Sequence, residues 1–172
     1  MTHRLNRREF LGRSAVAATT LAVGYHTSSL AAESKSPAEK LRIASVGCQG
    51  RAAANIGGTS SENFVALCDV DANSLGKMAA RFPGARKYRD FRVMLEKEAE
   101  KIDAVLVGTP DHTHAPAAAM ALRLKKHVYC EKPLTHTVQE ARTLSELTKQ
   151  NKLVTQMGTQ IHAGTNYRRV VE

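Results

Sequence analysis

The chain has 172 residues, of which 42% are hydrophobic and 24% charged, and this composition is ordinary for a single globular domain. Its formal net charge of +9 includes four arginines against one glutamate in residues 1–32, and the other basic residues are scattered without an arginine stripe between aromatics, so a nucleic-acid partner is not expected. The three cysteines, Cys48, Cys68 and Cys130, are too few and too widely spaced for a zinc site or a disulfide framework, and we expect free thiols near strand ends.

Residues 1–32 show the order of features that is typical of a twin-arginine export signal. The run NRREFL at 6–11 is the arginine pattern, a mild apolar region follows over 14–23, and small residues over 29–32 offer a cleavage site. An amphipathic surface helix is the alternative interpretation. The order of the features favours the signal, which predicts that the twin-arginine translocase of a bacterium exports the protein to the periplasm or otherwise out of the cytoplasm. Residues 33–40 then form a polar linker.

From residue 41 onward, short apolar runs alternate with helical patterns. Strands are predicted at the apolar runs, over 41–46, 64–70, 102–107, 127–130 and 153–157. Helices are predicted between them, from 51 to the glycine pair at 57–58, over 73–82, from a cap at Asp90 through 98, from the turn with Pro116 to 125, and over 137–150. Connections this short require crossovers between parallel strands, so the sequence predicts an α/β fold with a doubly wound parallel sheet covered on both faces. Such a sheet binds its ligand at the carboxyl ends of its strands.

The first strand runs into a glycine turn and then into the start of an alanine-rich helix. Gly47 suits a tight turn, Gly50 allows a ligand to approach the backbone closely, and Ala52 provides the small residue where helix meets strand. This arrangement aims backbone N–H groups and the positive end of a helix dipole at a phosphate, which predicts a dinucleotide site that includes Arg51 in the first helical turn. Gln49 stands where the usual G-x-G-x-x-G motif has its second glycine, and its side chain could crowd the pyrophosphate. A glycine turn with no ligand is the alternative.

A carboxylate follows the second strand at the spacing expected for a nucleotide site. Asp69 lies 22 residues after Gly47, close to the spacing of about 20 residues at which an acid accepts hydrogen bonds from the adenosine ribose. A carboxylate there repels a 2′-phosphate and favours NAD over NADP, although Arg51 could still tolerate the phosphate. Asp71 is instead predicted to cap the helix that follows.

Two further polar loops follow the next two predicted strands. Asp111, His112 and His114 lie close together in sequence, but no further ligand follows at a usual spacing, so a metal site is not predicted. Glu131 and Lys132 come later, where a lysine beside a glutamate could position a substrate hydroxyl or relay its proton. A surface ion pair that contributes little is the alternative interpretation of these two residues.

Five segments resemble, in this order, the N-terminal half of the Gfo/Idh/MocA oxidoreductase family: VGCQGRA, ALCDVD, VGTPDHTHA, YCEKPL and TQMGTQ. The EKP tripeptide and the TP-x-x-x-H loop are much more specific than the glycine motif. The resemblance implies a Rossmann domain over 41–160 that binds NAD or NADP.

The resemblance also implies roles for particular side chains. It places Thr109, Pro110 and His114 along the nicotinamide half of the cofactor. It places Glu131 near the nicotinamide ribose, and it places Lys132, as the catalytic residue, beside the reacting carbon of a sugar or cyclitol.

Members of this family continue into a second α/β domain, which forms the substrate wall and supplies a catalytic histidine. Residues 161–172 would begin that domain, so we expect this chain to be a fragment or a truncated product. The full-length protein is then expected to be an NAD(P)-dependent oxidoreductase that transfers hydride to or from a sugar-like substrate. Two alternatives stay open, an NAD-dependent glycoside hydrolase of the same family and a non-catalytic nucleotide-binding fragment. A homo-oligomer of the full-length form is also open.

Overall fold

The computed structural model describes residues 39–163, so the predicted signal peptide (1–32), most of the predicted linker (33–40) and residues 164–172 lie outside the described part of the chain. The expectations placed on those segments are therefore not examined by the fold. None of the helices within residues 39–163 combines the length and the apolar character that a membrane span requires.

Six strands form one parallel sheet within the described residues: β1 (Arg42–Val46), β2 (Asn63–Cys68), β3 (Arg86–Tyr88), β4 (Ala104–Val107), β5 (His127–Glu131) and β6 (Thr155–Gly158). Their spatial order is β3-β2-β1-β4-β5-β6. The connections hold five α-helices: α1 (Gly50–Gly58), α2 (Ala72–Arg81), α3 (Phe91–Glu98), α4 (His114–Arg123) and α5 (Val138–Gln150). Short 3₁₀ turns lie at Ala99–Lys101, Asp111–Thr113 and Gln160–Ala163. This order is that of a doubly wound Rossmann sheet and confirms the predicted fold class.

Both faces of the sheet are buried because successive side chains of each strand enter two different apolar clusters. Ala44 and Val46 of β1 belong to one cluster, whereas Ile43 belongs to the other. Ala66 and Leu67 of β2 divide between the same two clusters. Burial on both faces explains why these strands appear in the sequence as short continuous apolar runs.

Two helices begin at the capping residues that the sequence predicts, and a third begins at a capping box that was not predicted. The Asp71 carboxylate accepts a hydrogen bond from the backbone N–H two residues later, at 2.9 Å, and Asp90 does the same at the start of α3, also at 2.9 Å. Thr137 and Glu140 form a reciprocal capping box at the start of α5.

The structure differs from the predicted elements at several places. The edge strand β3 was not predicted, because it has three residues, two of them exposed, and pairs only with β2. The strand predicted over 64–70 ends at Cys68, and the last strand lies over 155–158 rather than 153–157. Helix α1 includes the glycine pair at 57–58, which the sequence analysis placed at its end.

Candidate functional site

The centre of the sheet presents a crevice at its carboxyl edge. The chain leaves β1 toward β2 on one side and later reaches β4 on the other, so the connections diverge at the ends of β1 and β4. A cavity of about 320 Å³ opens there. Its walls include Gly47, Gln49, Asp69, Arg89, Thr109 and Pro110. Several of the side chains that the sequence analysis selected therefore meet at one place.

The glycine turn after β1 has no room for a side chain. Gly47 has a φ of +101°, its N–H donates to the Cys68 carbonyl oxygen at 2.8 Å, and an added Cβ would lie 2.7 Å from the Gly108 carbonyl oxygen. A Cβ added to Gly108 would in turn lie 2.7 Å from the Cβ of Ala52, which is buried. Small residues thus allow the turn after β1, the end of β4 and the first turn of α1 to pack closely together.

The start of α1 faces the crevice without a side-chain acceptor of its own. Gln49 is the N-cap residue, but its side chain makes no capping hydrogen bond, and it is exposed. Gly50 has a φ of +55° and open space where a Cβ would stand, so it is the backbone conformation that calls for glycine. The first turn of α1 contains no acidic residue. Its free N–H groups are therefore available to an anion.

Asp69 joins two loops through backbone N–H groups. One carboxylate oxygen accepts from Cys48 N at 2.8 Å, and the other accepts from Asp71 N at 2.9 Å. The neighbouring Asp71 carboxylate accepts from the Ser74 hydroxyl at 2.6 Å, and this hydrogen bond is the main reason that the pKa of Asp71 lies below its usual range. Each oxygen of Asp69 keeps a second lone pair, which ribose hydroxyls can use.

The three cysteines are free and buried near strand ends, as predicted. Burial, together with the charge of nearby carboxylates, raises the pKa of Cys48, Cys68 and Cys130 to about 12 each. The thiols therefore stay neutral at physiological pH and act as small apolar side chains in the strand ends.

His114 lies behind the loops rather than on the surface of the crevice. It is buried, with Nδ1 2.6 Å from the Pro133 carbonyl oxygen and Nε2 2.8 Å from the Thr109 carbonyl oxygen. A neutral ring has one N–H and donates to one of these oxygens, whereas the doubly protonated ring donates to both. Neither ring nitrogen is left for a ligand, so His114 connects the loop after β4 to the loop after β5.

Glu131 has a buried carboxylate that two residues of α1 contact. Its Oε1 accepts from Asn55 Nδ2 at 2.8 Å and lies 3.4 Å from both the Arg51 Nε and the Tyr129 hydroxyl. Gly158 of β6 leaves space for it, because a Cβ there would lie 2.6 Å from the Glu131 carboxyl carbon. The other oxygen, Oε2, is buried and has no partner among the described residues.

Lys132 is exposed, and its amine forms no ion pair within residues 39–163. The predicted alternative of a surface pair with Glu131 is not what the structure shows, since Glu131 pairs with Arg51. The amine is therefore free to meet a ligand from the open side of the loop.

Unpartnered buried polar atoms follow three neighbouring strands. Within residues 39–163 they are Thr109 Oγ1 after β4, Glu131 Oε2 at the end of β5 and Gln160 Oε1 after β6. Buried polar atoms in proteins nearly always have a partner, so a cluster of orphans at one edge indicates where a ligand completes the structure. The residues present thus fit a polar ligand on this side of the sheet.

Sequence analysis missed three contributors to the site. Asn55 lies four residues after Arg51 and so shares its helix face, but nothing in the sequence connects that face to Glu131. Gln160 follows the last strand, in the position where the other strand-end residues were examined, and could have been found by that rule. Arg89 follows the edge strand that was not predicted.

Residues 41–159 match the model of a protein family described as GFO_IDH_MocA, an oxidoreductase family with an NAD-binding Rossmann fold. Two similar curated proteins are inositol 2-dehydrogenase of Rubrobacter xylanophilus, 32% identical over 117 residues, and myo-inositol 2-dehydrogenase of Thermotoga maritima, 28% identical over 107 residues. These matches cover 63% and 62% of this chain but 31% of each relative, so the chain spans about a third of their length.

Solved structures show the same similarity. GenD2 from gentamicin A biosynthesis, in complex with NAD, has a TM-score of 0.69 at 25% identity, with 76% of this chain and 38% of that chain covered. The WlbA (WbpB) dehydrogenase from Thermus thermophilus, in complex with NAD and alpha-ketoglutarate, has a TM-score of 0.67 at 25% identity, with 77% and 47% covered.

Proposed function

Since the chain belongs to the Gfo/Idh/MocA oxidoreductase family and contains its NAD-binding Rossmann fold, we propose that it forms the cofactor half of an oxidoreductase acting on a sugar or cyclitol. The observation that carries this proposal is the carboxyl edge of the sheet. A closed glycine turn and Asp69 lie on one side of β1, and three unpartnered polar atoms lie on the side that presents Lys132. The names of the relatives, two of them inositol dehydrogenases, support a polyhydroxylated substrate.

On the first side, the adenosine and pyrophosphate parts of NAD would bind. Asp69 is fixed by two backbone N–H groups and would accept hydrogen bonds from the ribose hydroxyls. The free N–H groups at the start of α1, with Gly50 beside them, would receive the pyrophosphate. Gln49 is exposed and makes no hydrogen bond with the described residues, so its side chain can turn toward solvent.

On the second side, the nicotinamide half of NAD would bind. Thr109 Oγ1 and Glu131 Oε2 are buried atoms without hydrogen-bond partners among the described residues. Ribose or carboxamide groups of NAD would supply these partners. The Arg51 side chain at the start of α1 is 45% exposed, while its Nε lies near Glu131. Pro110 would border the same part of the cofactor, since it lines the cavity beside Thr109.

Lys132 would act at the substrate. NAD, when bound, would supply the hydride acceptor or donor, and the protein would supply orientation and a proton route. In the oxidation direction the neutral amine form of Lys132 would take the proton of the substrate hydroxyl as the carbonyl forms, and in the reverse direction its ammonium form would return that proton. The amine can reach a substrate hydroxyl because it is exposed and forms no ion pair within residues 39–163.

A calorimetric titration of the 172-residue chain with NADH tests the cofactor site. We expect saturable binding, with loss of binding in Asp69→Ala and no loss in Gly76→Ala, because Gly76 lies on an exposed helix surface with open space around it. Absence of heat from NADH in a folded chain would contradict the proposal.

The activity is tested on the full-length protein with a panel of cyclitols and sugars that includes myo-inositol. We expect reduction of NAD, and we expect Lys132→Met to lower kcat by about 10²- to 10⁴-fold with unchanged NADH affinity. Nucleotide binding without turnover of any compound in the panel would leave a binding module and contradict the proposed reaction.

We also propose, from the sequence pattern alone, that residues 1–32 direct export through the twin-arginine translocase. A fusion of residues 1–40 to a reporter that folds in the cytoplasm is expected to reach the periplasm. Replacement of both Arg7 and Arg8 by lysine is expected to stop the export. Equal export of the two fusions would contradict the assignment.

A further inference from the structure

Arg89 stands beside the two acidic residues at the adenosine end of the crevice. It follows β3 directly, and β3 pairs with β2 so that the Asp69 N–H donates to the Tyr88 carbonyl oxygen at 3.1 Å. Arg89 therefore leaves the sheet next to Asp69, and both residues line the same cavity together with Asp71. Strand pairing, rather than sequence proximity, brings this arginine to the site.

The guanidinium of Arg89 has more N–H donors than its one hydrogen bond to a described residue uses. Its Nη2 donates to the Val70 carbonyl oxygen at 3.0 Å, and this bond holds the side chain over the loop after β2. A guanidinium carries five N–H groups, so donors remain beyond this bond on a side chain that is exposed and lines the cavity. The side chain forms no ion pair with another described residue. Its charge is thus available to a ligand.

The two carboxylates nearby do not neutralise Arg89, because they are occupied elsewhere. Asp69 accepts from the N–H groups of Cys48 and Asp71, and Asp71 accepts from the first turn of α2. Both carboxylates are consequently fixed in place. An anion at the ribose of adenosine would therefore meet the fixed carboxylates on one side and the Arg89 guanidinium on the other.

Arg51, which the sequence analysis considered for tolerance of a 2′-phosphate, is placed differently. It lies at the start of α1 with its Nε 3.4 Å from Glu131, at the end of β5, and the strands β1 and β4 separate β5 from β2. Arg89 is the arginine that lines the adenosine end of the cavity.

We propose that Arg89 forms a subsite for the 2′-phosphate of an adenine dinucleotide, so that this domain binds NADP as well as NAD. The proposal rests on the proposed cofactor function and adds the phosphate to the ligands that the site takes. A planar guanidinium matches two phosphate oxygens and forms charge-assisted hydrogen bonds with them. Asp69 repels the same phosphate, so NAD stays the preferred ligand and Arg89 offsets part of the repulsion against NADP.

The test compares NADH and NADPH binding to the 172-residue chain by calorimetry at low salt. We expect the wild-type chain to bind both, NADPH more weakly. Arg89→Ala is expected to raise the Kd for NADPH by about tenfold or more and the Kd for NADH by less than twofold, because the lost hydrogen bonds involve charged groups. Lys87→Ala is the matched control, since it removes one exposed positive charge from β3, which Arg89 follows, and both Kd values should stay within twofold of wild type.

Two further variants separate the phosphate contact from other roles. Arg89→Lys should keep part of the NADPH affinity as a point charge, and Asp69→Asn should strengthen NADPH binding only when Arg89 is present. Equal weakening of NADH and NADPH by Arg89→Ala, unchanged NADPH binding in that variant, or no NADPH binding by the wild-type chain would overturn the proposal. Absence of NADH binding would instead contradict the cofactor function itself.

Discussion

The two halves of the sheet differ in how their polar groups are satisfied. In the first half, β1 to β3 with the loops that follow them, Asp69 holds two backbone N–H groups and the buried Glu98 accepts from the Tyr88 hydroxyl at 2.6 Å. In the second half, β4 to β6 with their loops, three buried polar atoms have no partner among the described residues, those of Thr109, Glu131 and Gln160.

This difference indicates that buried polar groups of the first half have their hydrogen-bond partners within the protein. In the second half, a ligand would supply the missing partners. An unpartnered buried polar group costs about 1–3 kcal/mol, which a ligand that supplies the partner returns as affinity. Apart from Asp69 and Arg89, which would face the cofactor, substitutions in the first half should therefore act mainly on stability, and substitutions in the second half should act mainly on binding. The following predictions test that division, from the largest expected effect to the smallest.

Gly47→Val is expected to have the largest effect. A side chain at this position would need a φ of +101° and would meet the Gly108 carbonyl oxygen at 2.7 Å. Strain of this kind costs about 1–3 kcal/mol for the backbone alone, and the overlap adds to it. We expect a fall in the free energy of unfolding of about 3 kcal/mol or more, measured by urea denaturation, together with loss of NADH binding.

Gly76→Ala is the control for this substitution. It lies in α2 with no atom within 4 Å of an added Cβ. Alanine is favoured over glycine in a helix interior, so the free energy of unfolding should rise by about 0.5–1 kcal/mol. Stability of Gly47→Val equal to that of the control would show that the turn is not closed as described.

Glu98 is the second test, because it fixes the edge strand of the first half. Burial alone raises the pKa of Glu98, but the hydrogen bonds from Tyr88, Arg86 and Lys101 outweigh burial and lower the pKa to about 2. The ordinary value of a glutamate pKa is 4.5, so the folded state binds fewer protons. The stabilisation is therefore present above about pH 4.5 and is lost as the pH falls toward 2.

Glu98→Gln should lower the free energy of unfolding at pH 7 by about 1–3 kcal/mol, and the difference from wild type should shrink between pH 4.5 and pH 2. Urea denaturation at several pH values measures both effects. Glu96→Gln, on the exposed side of the same helix, is the control. A stability difference that does not depend on pH in this range would contradict the ionised state of Glu98, and a large loss of NADH affinity would break the division between the halves.

Asn55→Ala is the third test and concerns the second half. It removes the 2.8 Å hydrogen bond that holds Oε1 of Glu131, so Oε2 would lose its fixed position. We expect the Kd for NADH to rise by about three- to tenfold, with a loss of stability of about 1 kcal/mol. Asn73→Ala, an exposed position of α2, should change neither quantity.

Double variants show whether Asn55 acts through Glu131. The losses caused by Asn55→Ala and Glu131→Gln should be less than additive when combined, since both affect one contact. Additive losses would mean that Asn55 contributes independently of that carboxylate.

The sequence predicted those elements of the fold that carry a local signal, such as an apolar run or a capping residue. The buried strands were visible as apolar runs, and caps such as Asp71 and Asp90 as acids ahead of helical patterns. The strand β3 gave no such signal, because its three residues, two of them exposed, depend on pairing with β2 for their conformation. Arg89 was missed for the same reason.

The site divides in the same way. The glycine turn and Asp69 belong to one spacing rule and were found from the sequence. The contact between Asn55 and Glu131 joins residues 76 positions apart, and only the closed sheet brings them together. The motif placed His114 after β4, where it begins α4, but burial and the two carbonyl contacts that direct its ring away from the crevice are tertiary features.

Lys132→Met is expected to have the smallest effect on this domain. The amine is exposed and forms no ion pair within residues 39–163, so its removal leaves no buried charge without a partner. The free energy of unfolding should stay within about 0.5 kcal/mol of wild type, and the Kd for NADH should stay within twofold. Urea denaturation and calorimetry on the same preparations measure the two quantities. A loss of stability or of NADH affinity as large as that of Asn55→Ala would show that Lys132 belongs to the cofactor framework with Glu131, and its assignment to the substrate proton would then have to be given up.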